Sequence, residues 1–391
     1  MRADWKLVAG IGVSALLCSG CGSGGSHRSA STCNDASPQT SATCIAAVVD
    51  PLVNKELQTQ GLPGATIEIA RNGKAVYIQA YGTANVATSS PVLPATEYQI
   101  GSVTKQFTAA AVLQLASAGK LGLDDTLAQY LPEYSFDPRL TLRMLLNQTS
   151  GLEDYLVGSP SDVTQGVTEQ EVLTVIASTK LRFTPGSAYE YSNSNYYLLG
   201  CIIEIVSGQS YSEYLATHIT GPAGLSHTSL TEPLTAARPY SYANPVVPGT
   251  KGLAPGFILD PSVYFASGAL WSNVQDLAAW NYALFSGKLI SQDQLKVMLT
   301  PPAGVPFFGA ASVPSDYAMG WSLGKVLEHP FVWHNGQTLA YTAFNGVFPE
   351  SGWSISILTN VDIQEDTPLA PFAQSIVEAV CRQASTGGNC F

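Results

Sequence analysis

Charge is scarce in this chain of 391 residues: Asp, Glu, Lys and Arg together make up 12%. The shortage is greater on the basic side, with 18 Lys and Arg against 29 Asp and Glu. A net charge of −11 and a pI near 4.8 argue against a nucleic-acid partner and against a polybasic membrane patch. The marks of several enzyme classes are also missing. No Gly-x-Ser-x-Gly elbow, no His-Glu-x-x-His helix and no phosphate-cradling Gly-x-x-x-x-Gly-Lys is present. Histidines number five, and no pair has metal-ligand spacing, so neither a metal nor an organic cofactor is expected. His27, His218, His227 and His329 accordingly read as surface or structural residues. No repeat of solenoid period is apparent.

Long apolar runs are lacking as well. The stretch from Leu7 to Leu17 follows Met1-Arg-Ala-Asp-Trp-Lys6 and precedes the small residues Cys18-Ser-Gly-Cys21. It is too short to span a bilayer and reads as a secretory signal over residues 1–20. Ser19-Gly20-Cys21 resembles the end of a bacterial lipoprotein signal, with Cys21 as the lipidated residue, although Cys18 stands where leucine is usual. Residues 21–42, rich in Gly, Ser and Thr, read as a flexible tether. The expected location is the cell envelope, with a lipid anchor as the only membrane contact; a soluble secreted product is the alternative.

What is present is enough for a large core. The chain is 46% hydrophobic, and the roughly 370 residues left after export exceed what one core usually holds, so two subdomains are expected.

The chemistry concentrates in three places. Ser102-Val-Thr-Lys105 sets a hydroxyl and an amine one helical turn apart, at the start of a helical segment from Gln106 that Gly119 is suited to end. A serine hydroxyl there lies near the positive end of a helix dipole, and a lysine one turn on is a proton acceptor if burial keeps it partly neutral. Alone, the pattern reads better as an ordinary N-cap serine with a lysine one turn on, because so short a pattern recurs by chance. Glu190-Tyr191-Ser192-Asn193 comes after the turn Phe183-Thr-Pro-Gly186 and leads into apolar sequence ending at Val206. Val332-Trp-His334-Asn335-Gly336-Gln337-Thr338 precedes a predicted hairpin of Thr342 to Phe348 and Trp353 to Thr359. Glu153 and Asp154 suggest a paired-carboxylate site, but adjacent residues point apart, and the start of a loop explains them better.

Together these segments resemble the serine penicillin-recognising enzymes: class C β-lactamases, D-alanyl-D-alanine carboxypeptidases of the kind secreted by actinomycetes, and their esterase relatives. That superfamily has Ser-x-x-Lys, then Tyr-x-Asn or Ser-x-Asn, then Lys-Thr-Gly or His-x-Gly. The likeness extends over nearly the whole chain after about residue 43 and includes Gly119 to Asp125, Thr141 to Leu152 and Phe265 to Leu277.

The resemblance implies an α+β, β-lactamase/transpeptidase-like fold in residues 43–391. An antiparallel sheet flanked by terminal helices would come from residues 43–101 and 316–391, with a mostly helical insertion over 102–315. It implies that Ser102 is the nucleophile forming an acyl-enzyme, that Lys105 assists it, and that Tyr191 lies between nucleophile and leaving group. Which of Lys105 and Tyr191 takes the first proton stays open. Asn193 would hold Lys105 and the acyl side of the substrate; its bland reading is a helix-capping turn residue. The backbone N–H groups of Ser102 and Gln337 would form the oxyanion hole, with Gly336 letting an edge strand come close.

The third motif departs from the commonest pattern. His334 stands for lysine, as in the actinomycete carboxypeptidases, which implies a pH-dependent charge. Asn335 stands for the threonine that helps bind a substrate carboxylate. Lys325 is the only Lys or Arg between Lys296 and Arg382, so that segment offers no guanidinium either. The expected function is an exported serine hydrolase acting on D-amino-acid peptides of cell-wall type, then small esters, then β-lactams. A low-turnover surface protein that binds or senses penicillin is the rival. Cys201 reads as a buried free thiol; Cys33 with Cys44 and Cys381 with Cys390 are the first-choice disulfides because each closes a short loop. The terminal helices implied by the resemblance lie side by side, which leaves pairing between the ends open.

Overall fold

The computed structural model describes residues 38–158, 166–231, 242–243, 254–314, 316–363 and 369–384. Two hairpins start the sheet. Asn72 and Gly73 take φ of 49° and 71°, the left-handed geometry that a two-residue hairpin turn needs. Strands Gly64–Arg71 and Lys74–Asn85 therefore fold back on each other. Strands Thr342–Phe348 and Trp353–Thr359 do the same, within the limits expected from sequence. The two hairpins meet where Gly64–Arg71 pairs with Trp353–Thr359, Ile67 opposite Ile357 and Arg71 opposite Trp353.

The resulting eight-stranded antiparallel sheet runs in the order 317–318, 321–326, 329–337, 342–348, 353–359, 64–71, 74–85, 90–91. Period-2 alternation divides its faces. Ile67, Ile69, Phe344, Phe348, Ile355 and Ile357 form one core with Val49 and Val53 of the helix Pro38–Gln60 and with Ile376 and Val377 of Ala370–Ala384. The opposite face meets the helical part of the chain through a larger core that includes Val332, Ala343, Val347 and Leu358. Helix Thr104–Ser117 lies inside that core, with Phe107 stacked on Trp280 at 3.9 Å. The α+β architecture with terminal helices on the sheet is as expected from the resemblance.

The inner face is also polar at one place, and this positions the site. Asn345 Nδ2 donates to Gln106 Oε1 at 2.9 Å, Asn281 Nδ2 donates to Asn345 Oδ1 at 2.8 Å, and Ser356 Oγ donates to the same oxygen at 3.0 Å. All four side chains are buried, so the network fixes Gln106, and with it the adjacent Lys105, against the sheet. Cys201 is a buried free thiol. Cys44 and Cys381 are both disulfide-bonded. Cys33, Cys390, the signal segment and Cys21 lie outside the described residues. No helix among the described residues is long and apolar enough to cross a membrane.

Candidate active site

Glycine on two strands of backbone makes the site possible. Gly101, at φ 51°, opens a short 3₁₀ turn, Gly101–Val103, that runs into the helix Thr104–Ser117 and carries Ser102. Alongside it lies the strand His329–Gln337. A Cβ at Gly336 would sit 1.8 Å from the Ile100 carbonyl oxygen, and one at Gly101 would sit 2.5 Å from the Gln337 nitrogen. No side chain fits at either position, so the Gln337 amide reaches the turn that holds Ser102. Gly336 does not lie on an edge strand as expected, since His329–Gln337 is internal to the sheet. Its pairing with Trp321–Val326 nevertheless stops at Trp333, whereas its pairing with Thr342–Phe348 continues to Gln337. The last four residues thus have one open edge, which faces Ser102.

Lys105 is fully buried one turn beyond Ser102. Its Nζ donates to Ser102 Oγ at 2.9 Å, to Asn193 Oδ1 at 2.8 Å and to the Ser267 carbonyl at 2.8 Å. Three acceptors match the three N–H bonds of an ammonium, and the Tyr191 ring centroid lies 4.8 Å away. Burial still lowers the amine to about 7, opposed by the charge of Asp154. Both protonation states are therefore populated at neutral pH.

Tyr191 is held differently. Its hydroxyl is buried and has no hydrogen-bond partner of good geometry among the described residues. Burial above all, and then Tyr317, push the phenol well above its ordinary value of 10, while nearby Ser102 draws it down only in part. At neutral pH this group keeps its proton. It is suited to donate or relay a proton, and unsuited to act as a ready phenolate base.

Asn193 is the first residue of the helix Asn193–Ser207, so helix geometry and the bond to Lys105 coincide. Asp154 Oδ2 accepts from both its backbone nitrogen at 3.1 Å and its Nδ2 at 2.8 Å. His334 is buried, with Nδ1 2.5 Å from the carbonyl oxygen of Asn335 and Nε2 3.3 Å from Tyr317 Oη. A carbonyl only accepts, so the proton sits on Nδ1 and Nε2 accepts from the tyrosine. Burial first, then Lys105, lowers this imidazole to about 3. The expected pH-dependent charge at His334 is thus absent in the physiological range. Asn335 Oδ1 is buried and without a partner among the described residues. Gln337 Nε2 donates to Asp362 Oδ1 at 2.6 Å and to the Ile363 carbonyl at 2.7 Å.

Ser102, Asn193, Gln337 and Asp362 line an open cleft of about 280 Å³, together with Leu156, Tyr264, Gly268 and Leu339. Among the described residues no group of three or more His, Cys, Asp or Glu could hold a metal ion. Two residues whose part in the site the sequence does not give matter here. Asp154 was legible only as half of a doubtful carboxylate pair, and it anchors Asn193 by itself. Asp362 gave no signal beyond an acid at the end of an uncharged strand.

A serine and a buried, partly neutral lysine within hydrogen-bond distance, beside a backbone amide from an open strand edge, define a site of the serine acyl-transfer type on an α+β fold. The Beta-lactamase family model matches residues 47–378. The chain belongs to that family. Protein flp of Staphylococcus aureus (strain COL) is 29% identical over 329 residues, 80% of this chain and 63% of its own length. The chain thus spans about 63% of the length of that curated relative. Among solved structures, D-amino acid amidase from Ochrobactrum anthropi SV3, complexed with L-phenylalanine amide, superposes with a TM-score of 0.74 at 24% identity, covering 88% of this chain and 99% of that one. EstCE1, a hydrolase with promiscuous acyltransferase activity, gives 0.71 at 20% identity over 87% and 99%. At these identities both show the shared fold.

Proposed function

We propose that this chain is a serine acyl hydrolase working through an acyl-Ser102 intermediate. One observation carries the reading: a buried amine, lowered to about 7, lies 2.9 Å from the Ser102 hydroxyl. Neutral Lys105 takes the hydroxyl proton as Oγ bonds to the substrate carbonyl carbon. The oxyanion is met by the backbone N–H groups of Ser102 and Gln337. Protonated Tyr191 passes a proton to the departing nitrogen or oxygen as that bond breaks, and the proton held on Lys105 restores the phenol. Water then cleaves the ester, releasing a carboxylic acid and free Ser102. Asn193 and Asp154 hold the amine in place, and no metal or organic cofactor enters.

The leading substrate is an amide or peptide of a D-amino acid, the class on which the amidase of the same fold acts. Small esters are the second reading, favoured by a neutral His334 and by Asn335, which leave little to bind a substrate carboxylate. Export through the leader, with lipid on Cys21, belongs to the same proposal; the bonded Cys44 and Cys381 support an oxidising compartment.

The test compares wild type with Ser102→Ala on a fluorescent penicillin, p-nitrophenyl acetate and a D-alanyl-D-alanine peptide. Wild type is expected to take the covalent label, lose it on standing and turn over at least one of the other two. Ser102→Ala is expected to do none of these. Undiminished turnover in the variant overturns the reading.

A further inference from the structure

The Tyr191 hydroxyl has no hydrogen bond of good geometry among the described residues. Its direction is therefore set by its backbone and by its ring contacts, with Tyr317 at 6.2 Å and His334 at 6.0 Å between centroids. That backbone is fixed from far back in the chain by Gln148, which accepts on both sides of the tyrosine. The Gln148 carbonyl oxygen accepts from the Glu190 N–H at 3.1 Å, and its side-chain Oε1 accepts from the Ser192 N–H at 3.0 Å. In an extended stretch, N–H groups two residues apart point the same way. The opposite edge of this stretch is also occupied: Tyr189 N donates to the Pro306 carbonyl and Phe308 N donates to the Tyr189 carbonyl, each at 2.8 Å. Gln148 thus stands in for a neighbouring strand, giving one acceptor from its main chain and the next from its side chain.

The side chain is itself tightly determined. Gln148 is fully buried at φ 60°, a left-handed conformation that a non-glycine residue keeps only where its surroundings enforce it. Asn195 Nδ2 donates to the same Oε1, and Asn195 is turned that way because its own Oδ1 accepts from Ser150 Oγ at 2.6 Å. Gln148 also draws down the phenol of Tyr317, which burial above all raises far beyond its ordinary value, so it acts as well on the ring packed edge-on against Tyr191. Lys105 is located by other groups: its Nζ bonds to Ser102, Asn193 and Ser267, and Asp154 anchors Asn193. Phenol and amine are therefore placed by separate sets of contacts. We propose that Gln148 is the positioning residue of Tyr191, aligning its proton with the departing atom, and that its importance grows with the leaving group's need for that proton.

The proposal rests on the acyl-Ser102 reading, and leaving groups test it. Ethoxide has to take the phenol's proton in order to leave, and Lys105 then restores that proton, whereas p-nitrophenolate departs as the anion. Gln148→Met keeps the side-chain length and removes the acceptor. It is expected to lower kcat/KM, which reports acylation, by about 10²-fold on ethyl acetate and by about threefold on p-nitrophenyl acetate. Added to Tyr191→Phe, the same change is expected to cost ethyl acetate turnover no more than about a further threefold, because both residues act through one proton. Gln148→Asn, whose shorter amide withdraws the acceptor from Ser192, carries the same expectations if Gln148→Met does not fold. Hydrogen exchange gives a readout that needs no turnover: the amides of Glu190 and Ser192 are expected to exchange at least about tenfold faster in the variant, while those of the helix Thr104–Ser117 keep their rates. It decides the clamp by itself, even where an active Ser102→Ala has overturned the hydrolase reading. Equal losses on the two esters, independent losses in the double variant, or unchanged exchange at Glu190 and Ser192 overturns the positioning role.

Discussion

The carboxylate of Asp154 holds Asn193 by two bonds at once, from its backbone nitrogen at 3.1 Å and from its side-chain amide at 2.8 Å. This fixes which end of the amide turns toward Lys105: with Nδ2 committed to Asp154, Oδ1 is left to accept from Nζ at 2.8 Å. Asp154 also acts on the lysine at a distance, because its charge raises an amine that burial lowers.

Asp154→Asn should therefore do two things together. Removing the charge drops the Lys105 pKa further below about 7, so the neutral, reactive amine persists to lower pH and the acid limb of kcat moves down. Loosening Asn193 lowers the plateau by about tenfold, the scale of one charge-assisted hydrogen bond. A pH profile of p-nitrophenyl acetate turnover checks both. A lower plateau with an unmoved limb would reduce Asp154 to a packing role.

How much of this could be read from the chain differs from residue to residue. Asn72-Gly73 is a turn dipeptide that marks the first hairpin by itself, and the second was legible to its end residues, because both depend on local turn chemistry. Ser102, Lys105, Tyr191 and Asn193 were legible as motifs, and the structure brings them together. The electrical state of His334 was not, since it follows from burial and from Lys105, a residue more than two hundred positions away. Asp154 was visible, but only its contact with Asn193, 39 residues on, gives it work. Sequence shows which groups can titrate; the packing around them decides whether they do.

Lys105→Arg is the sharpest test of the base. The guanidinium keeps a positive charge at every accessible pH and cannot accept the Ser102 proton. Turnover should fall by about 10³-fold, within the range ascribed to a positioned general base. In wild type the rate should rise through pH of about 7 as the amine loses its proton. A variant that stays folded by circular dichroism and retains most of its activity would remove Lys105 from the proposed step.

His334 is expected to leave no mark on that profile. Its imidazole is held to about 3, so it stays neutral throughout the range in which Lys105 titrates. His334→Gln should lower the rate, by disturbing Tyr317 and the strand beside Ser102, while the inflection near pH 7 stays in place. An inflection that vanishes with His334 would transfer the titration to the imidazole and contradict its burial.

Gly336→Ala should be severe although it adds one methyl group. The new Cβ would lie 1.8 Å from the Ile100 carbonyl oxygen and 3.2 Å from the Ser102 nitrogen, both backbone atoms that cannot swing away. Either the strand retreats, taking the Gln337 amide with it, or the 3₁₀ turn shifts and carries Ser102 out of line. Overpacking of this kind costs about 1–3 kcal/mol in stability, and the misplaced oxyanion donor adds about a 10²-fold loss in kcat. Urea unfolding and turnover of p-nitrophenyl acetate measure the two effects separately. Wild-type turnover in the variant would show that the close approach is dispensable.

Glu68 supplies a prediction far from the chemistry. It lies in the middle of the sheet, opposite Ser356 and Ile78, with Oε2 buried and unpartnered among the described residues, and burial raises its carboxyl to about 8. The folded state therefore holds a proton that the unfolded chain releases near 4.3. Stability is complete below that lower value and falls as pH rises toward 8, by at most about 1.4 kcal/mol per pH unit. Glu68→Gln cannot ionise, so relative to wild type it should gain on the order of 2–4 kcal/mol between pH 5 and pH 8. The unpartnered amide it introduces is neutral at both values and cancels from that difference, which makes the pH dependence the informative quantity. Urea midpoints of both proteins at the two pH values measure it. An equal gap at pH 5 and pH 8 would mean that Glu68 enters the fold already ionised, with a partner that stabilises the carboxylate.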